Sequence, residues 1–159
     1  MEQLLRDTTF TLPETVIRLG LATVCGLLLG LDRELRGISA GIRTHALVSL
    51  SSAVITVSAL ELYGDTRAHG GNSDPLRVIQ GLAQAIGFIA AGAIFVAKGA
   101  VRNLTTAANI WLATAVGIAA GAGQFMLVGV TTAFGIVIVT VVRVIEHRAL
   151  DHQASDDKE

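Results

Sequence analysis

The sequence predicts an all-α fold, an integral membrane bundle of five transmembrane helices. Just over half of its residues, 52%, are apolar, and charged residues make up 16%, below the roughly 25% of a soluble domain. Mean hydropathy is +0.61. The charges cluster in the turns and ends around five long apolar runs. The first four runs also carry stripes of small or weakly polar side chains, of the kind that helices bury against one another in lipid.

Residues 1–15 form an external N-terminal segment. They lack a basic region and a small-residue cleavage site, so the first span is expected to remain in the mature protein. Pro13 suits the first helical turn, and Glu14 complements the positive end of the helix dipole. Span one covers about 16–31, with Arg18 expected to snorkel to the near surface. A helix needs about 20 residues to cross the hydrocarbon, which places the flanking Thr15 and Asp32 at the interfaces. Gly26 and Gly30 form a GxxxG pair that admits a close helix neighbour, and the lone Cys25 reads as a small packing residue.

The segment from Gly26 to Val48, GLLLGLDRELRGISAGIRTHALV, links the first two spans. Its ionisable residues Asp32, Arg33, Glu34, Arg36 and Arg43 would each cost about 2.5 to 3.5 kcal/mol in hydrocarbon, so they mark a membrane boundary. Span two covers about 44–62, and Ser49, Ser52 and Thr56 fall on one face of it, which predicts contact with protein. The following stretch YGDTRAHGGNSDP reads as a polar loop. Span three covers about 78–96, with Gln80, Gln84, Gly87 and Ala91 on a stripe expected to be packed. Gly92 is grouped with Gly87 as a packing glycine. Lys98 ends the span, and a short connection leads to span four, about 104–122. That span carries Thr105, Thr106 and Asn109 early, then Gly117 and Gly121 on its seam. The tight link from Gly121 to Gln124 predicts that spans four and five, the latter about 125–142, are antiparallel neighbours. Residues 144–159 form a short polar tail.

With five spans, one side of the membrane receives Arg33, Arg36, Arg43, Lys98, Arg102, Arg143, Arg148 and Lys158, and the other Arg6, Arg18, Arg67 and Arg77. This bias predicts an external N-terminus and a cytoplasmic C-terminus. The net charge of −1 gives no basic footprint for nucleic acid.

The same topology brings Arg33, Glu34, Arg36, Arg43, His45, Lys98, Arg102, Thr105, Thr106 and Asn109 toward the cytoplasmic face. Headgroup anchoring is the simpler reading of this group. Density of polar positions favours a docking surface or small-ligand site. His45 reads as a hydrogen-bonding interface residue in preference to a metal ligand. Asp32 and Glu34 point about 200° apart on a continuing helix and cannot jointly chelate magnesium without a ligand from another segment. Glu61 is read as interfacial, with ion conduction as the sharper alternative. Asn109 seeks a partner across a helix interface, and Trp111 is expected to pack within the bundle. Serine-hydrolase, zinc-ligand and phosphate-loop motifs are missing, so no enzymatic activity and no cofactor or metal site is expected.

The blocks GLLLGLDRELRG…AGIRTHALV, IGFIAAGAIF and VRNLTTAANIW…GIAAGAG, spread over about 16–124, resemble the membrane domain of the MgtC/SapB family of bacterial inner-membrane proteins. The resemblance implies five spans and a link to magnesium homeostasis and, in some members, to survival in low magnesium and inside macrophages, a virulence role. It also implies restraint of the F-type ATP synthase as a membrane partner. The alternative, read from intramembrane polar residues such as Gln84 and Asn109, is a transporter or channel for magnesium or a small solute, which with five spans would need a small oligomer such as a homodimer. The motif positions carried over are Asp32, Arg33, Glu34, Arg43, Thr44 and His45, then Gly87 and Gly92, then Arg102, Leu104, Thr105, Thr106, Ala107, Ala108 and Trp111. Asp32 stands where glutamate is usual. Asn103 replaces a usual glycine, which predicts an altered turn before span four. Longer members add a soluble C-terminal regulatory domain, so the match is to the membrane domain alone.

Overall fold

The computed structural model describes residues 10–97 and 99–142. Expectations for residues 1–9, Lys98 and the tail from Arg143 lie outside the described residues. The chain forms five helices: α1 (Leu12–Leu35), α2 (Ile42–Ala68), α3 (Leu76–Ala93), α4 (Leu104–Gly121) and α5 (Phe125–Val137), the last continued by a π-helical segment, Ile138–Val142. The first four are long and apolar enough to cross a membrane. The fifth reaches a comparable length only with its π-helical continuation.

The two longest helices extend past their apolar runs. α1 starts at Leu12, inside the segment expected to be external, and continues to Leu35. α2 runs through the first part of the predicted loop to Ala68. Local bonds explain that extension: Thr66 Oγ1 donates to the Leu62 carbonyl at 2.7 Å, and Arg67 Nη1 donates to the Tyr63 hydroxyl at 2.9 Å. Polar residues with partners at i−4 continue a helix into water as readily as apolar ones continue it in lipid.

α3 both starts and ends earlier than expected. It stops at Ala93, and Phe95–Ala97 (β1) pairs antiparallel with Ala100–Arg102 (β2), Phe95 opposite Arg102. Asn103 accounts for both ends of this hairpin. Its Nδ2 donates to the Ala93 carbonyl at 3.1 Å, satisfying a C-terminal group of α3, and its own backbone is left-handed, with φ 66°. Asparagine tolerates that region better than other non-glycine residues.

α4 is the central rod and touches each of the other helices. The apolar core gathers Ala22, Cys25 and Leu29 of α1, Ala53 of α2, Ala113, Val116, Ala119 and Ala120 of α4, and Val128 of α5. α2 lies between two glycine seams. A methyl group at Gly26 would sit 2.7 Å from the His45 carbonyl oxygen, and one at Gly30 2.6 Å from Ile42 Cα. On the opposite side, Gly117 abuts the Ser49 carbonyl, and a methyl at Gly121 would sit 2.7 Å from that of Ala53. Ser49, Ser52 and Thr56 are buried as expected, with Ser49 Oγ donating to the Ala22 carbonyl at 2.8 Å. α4 closes at Gly123, where left-handed backbone lets the Gln124 and Gly123 N–H groups reach back to Ala119 and Ala120 and turns the chain into α5.

The glycines of α3 behave differently. Nothing lies within 4 Å of a methyl at Gly87 or Gly92, and Gln80, Gln84 and Ala91 are exposed. The helix packs through Ile86 and Ala90, so the polar and small stripe expected to be buried faces outward. Trp111 is likewise half-exposed and not enclosed. Overpacking a seam costs about 1–3 kcal/mol or more when backbone must move. Gly117→Leu is therefore expected to lower the thermal unfolding temperature in detergent by several degrees, and Gly87→Leu to leave it nearly unchanged. Equal effects would contradict the assigned seams.

Candidate functional site

At the end of the bundle where α1 finishes and α2 and α4 begin, four polar side chains meet in the interior: Arg33, His45, Thr106 and Asn109, each no more than 4% exposed. They come from three helices. Arg33 is on the last turn of α1, and its Nη2 donates to the Thr106 hydroxyl on the first turn of α4. His45, on the first turn of α2, is fully enclosed. Its Nδ1 lies 2.9 Å from the Gly41 carbonyl and its Nε2 2.9 Å from Asn109 Nδ2. A carbonyl can only accept and an amide nitrogen can only donate, so Nδ1 carries the proton and Nε2 accepts. The second N–H of Asn109 goes to the Leu29 carbonyl at 3.1 Å. One asparagine thus ties α4 to both α1 and α2.

The acidic residues have separate tasks. Asp32 pairs with Arg36 one turn on, at 2.5 Å, and Glu34 Oε2 accepts the Ile42 backbone N–H at 3.1 Å, capping the start of α2. Among the described residues, no three His, Cys, Asp or Glu side chains group closely enough to hold a metal ion. Arg43, Arg102 and Thr105 are exposed and Thr44 is half-buried. The site residues inferred from sequence therefore divide into an enclosed cluster and an outer rim.

Sequence reasoning missed the tie at the opposite end. Arg18 does not snorkel outward. It is buried, donates through Nη1 to the Gly121 carbonyl at 2.6 Å, pairs with Glu14 at 2.6 Å and lies 4.1 Å from the centre of the Phe10 ring. The only sequence signal was a glutamate four residues before an arginine, with no pointer to the end of α4. Arg18 satisfies a helix C-terminal carbonyl that lacks an intrahelical donor.

A helix bundle with this inventory is a multi-pass membrane protein. The model of the MgtC family matches residues 19–148. The chain belongs to that family. Among curated relatives it is 37% identical to "Putative magnesium transporter YhiD" of Escherichia coli K12 over 72% of its own length and 54% of the relative's. It is 36% identical to "Protein MgtC" of Brucella abortus strain 2308 over 83% and 52%. It is 34% identical to "Protein SapB" of Bacillus subtilis over 71% and 50%. The chain spans about half the length of these relatives. No solved structure matches it.

The His45–Asn109 pair yields a coupling prediction. Leaving one buried partner unsatisfied costs about 1–3 kcal/mol, whereas replacing both by apolar groups costs less than the sum. In a double-mutant cycle, His45→Phe and Asn109→Leu should each destabilise the protein to chemical unfolding in detergent, with the double variant less destabilised than the sum by about 1 kcal/mol. Strict additivity would show that the pair does not interact.

Proposed function

We propose that the protein sits in the bacterial inner membrane and acts without catalysis, by helix contact with a larger membrane complex, in a way linked to magnesium homeostasis and survival in low magnesium. The F-type ATP synthase is the first candidate partner. The observation that carries this reading is the outward stripe on α3. Gln80 and Gln84 are exposed on a helix of 18 residues, and Gln84 stands at its middle. An amide without a hydrogen-bond partner in hydrocarbon costs several kcal/mol. With Ala91 and Gly92 beside them, these side chains suit a neighbouring transmembrane helix that offers hydrogen bonds at close range. The family resemblance supplies the synthase as the candidate.

The arginine and lysine distribution supports a cytoplasmic position for the end that carries Arg33, Arg36, Arg43 and Arg102, with the N-terminus outside. The second reading is a small oligomeric transporter for magnesium or another small solute, favoured by the name of the Escherichia coli relative. Glu61, half-buried near the far end of α2, is the acid such a path would use.

Affinity capture in mild detergent is expected to recover synthase subunits with the wild-type chain and several-fold less with Gln80→Leu/Gln84→Leu, and inverted vesicles should show altered proton pumping. No synthase recovered and unchanged pumping discard the reading. Magnesium flux into proteoliposomes that disappears with Glu61→Gln would establish the transporter instead. In whole cells, cysteines placed at Ser39 and Gly99 should both resist a membrane-impermeant reagent and label only after permeabilisation; labelling of both from outside would refute the orientation, and labelling from opposite sides would refute their gathering at one face.

A further inference from the structure

The hairpin between α3 and α4 is bare on both faces. Phe95 stands opposite Arg102, and Val96 opposite Val101. Side chains alternate along a strand, so Phe95 and Arg102 share one face and the two valines share the other. Phe95 is 53% exposed, Val96 71% and Val101 53%, and Arg102 is exposed as well. A two-stranded hairpin with uncovered apolar faces is at best marginal in water. Hydrocarbon does not suit it either, because its outer edges carry backbone N–H and C=O groups with no further strand beside them. The headgroup zone of a bilayer offers both apolar contact and hydrogen bonds. The hairpin lies at that level, since it follows the 18 residues of α3, which span about 27 Å of a hydrocarbon layer about 30 Å thick. Asn103 ties its base to the Ala93 carbonyl at the end of that helix.

Charge at this end of the bundle is unbalanced. Arg33, Arg36, Arg43 and Arg102 stand against two acids, Asp32 and Glu34. Asp32 is taken by Arg36, and Glu34 caps the Ile42 N–H. Arg43 and Arg102 are exposed, and among the described residues neither has an ion pair or a hydrogen bond. The Arg33–Thr106 and His45–Asn109 contacts hold the end of α1 and the starts of α2 and α4 together, so both arginines belong to one membrane boundary. We propose that the hairpin, with this uncompensated charge, is a contact site for anionic phospholipid. Arg102 meets the headgroup phosphate, Phe95, Val96 and Val101 meet the upper part of the acyl chains, and Arg43 adds to the attraction.

Three features select this ligand. The charge left over is positive, which calls for an anion. A guanidinium suits phosphate in particular, because its planar fork can give two parallel N–H···O bonds. Exposed apolar side chains lie beside Arg102 and on the opposite face of the hairpin, so the anion that covers them carries hydrocarbon, which inorganic phosphate lacks. The inference concerns the loop end of α3 and stands or falls independently of any partner on its glutamine stripe and of which end of the bundle is cytoplasmic.

The test uses the full chain in nanodiscs, with Phe95→Trp in a Trp111→Phe background, so that a single tryptophan reports from the hairpin. Its fluorescence is quenched by phosphatidylcholine or by phosphatidylglycerol brominated in the acyl chains, at equal mole fraction. Phosphatidylglycerol is expected to bind beside the hairpin with about fivefold higher relative affinity, the equivalent of about 1 kcal/mol for one arginine near anionic lipid. Arg102→Gln should remove that preference and Arg102→Lys retain part of it. Arg67→Gln, near the far end of α2, and Gln80→Leu/Gln84→Leu should leave it unchanged. Should the tryptophan variant fail to fold, native mass spectrometry of the wild-type chain and Arg102→Gln decides. The wild type should retain phosphatidylglycerol over phosphatidylcholine and the variant should not, and equal retention by the two chains overturns the proposal. Equal quenching by both lipids, quenching by neither, or a preference that survives Arg102→Gln also overturns it. Loss of the preference on adding inorganic phosphate at matched ionic strength would assign Arg102 to a free anion and overturn the lipid site.

Discussion

The structure depends on how closely the backbone of α2 is approached from both sides. Gly26 and Gly30 of α1 bring one helix against the carbonyls and Cα atoms of its first turns, and Gly117 and Gly121 of α4 bring another against Ser49 and Ala53. Helices in lipid lack a hydrophobic force to drive them together, so dispersion contacts at short range and hydrogen bonds between them carry the association. Three rods held this near exclude lipid from their common line. Any polar group on that line must then find its partner within the protein.

The polar contacts follow from this constraint. Ser49 can bond the Ala22 carbonyl, and Asn109 can reach both Leu29 and His45, only because no side chain intervenes at the glycines. The two ends of the bundle are then fixed by arginines of α1, Arg33 on Thr106 at one end and Arg18 on the Gly121 carbonyl at the other. Both contacts bind α1 to α4, one near its start and one at its last residue, and so fix the register of two helices that the chain separates by two others. A buried guanidinium is tolerated where donors meet acceptors at close range, and removing an acceptor would leave it uncompensated.

Much of this was legible in the residues, and the failures share a cause. The spans of α1, α2 and α4, the two GxxxG seams and the buried face of Ser49, Ser52 and Thr56 follow from periodicity, because those positions are fixed by spacing along one helix. The convergence of Arg33, His45, Thr106 and Asn109 was legible through topology, which placed the end of span one beside the start of span four. The errors arose where spacing along one helix does not determine the partner. The stripe of Gln80, Gln84 and Ala91 is periodic enough to be a seam, yet α3 packs on α4 through Ile86 and Ala90. Arg18 looked like an interfacial side chain because its acceptor is a backbone carbonyl 103 residues away. The hairpin after Ala93 was hidden by apolar continuity, since Phe95 and Val96 suit a span as well as a strand.

The difference between α3 and the other seams has a physical consequence. Where α1, α2 and α4 meet, Arg33, His45, Thr106 and Asn109 bond one another or nearby backbone carbonyls, so the cluster around His45 and Asn109 is part of the frame, and altering it alters the fold before it alters any interaction. α3 makes few demands on the frame. Its packing face is narrow, its glycines touch nothing, and its glutamines point away from the core. A helix that contributes little to internal cohesion and carries amides into hydrocarbon gains most from an external partner, because contact there removes the desolvation penalty without disturbing the rest. In the proposed reading, frame and contact surface fall on different helices, and substitutions on α3 would change association while the three-helix frame remains intact.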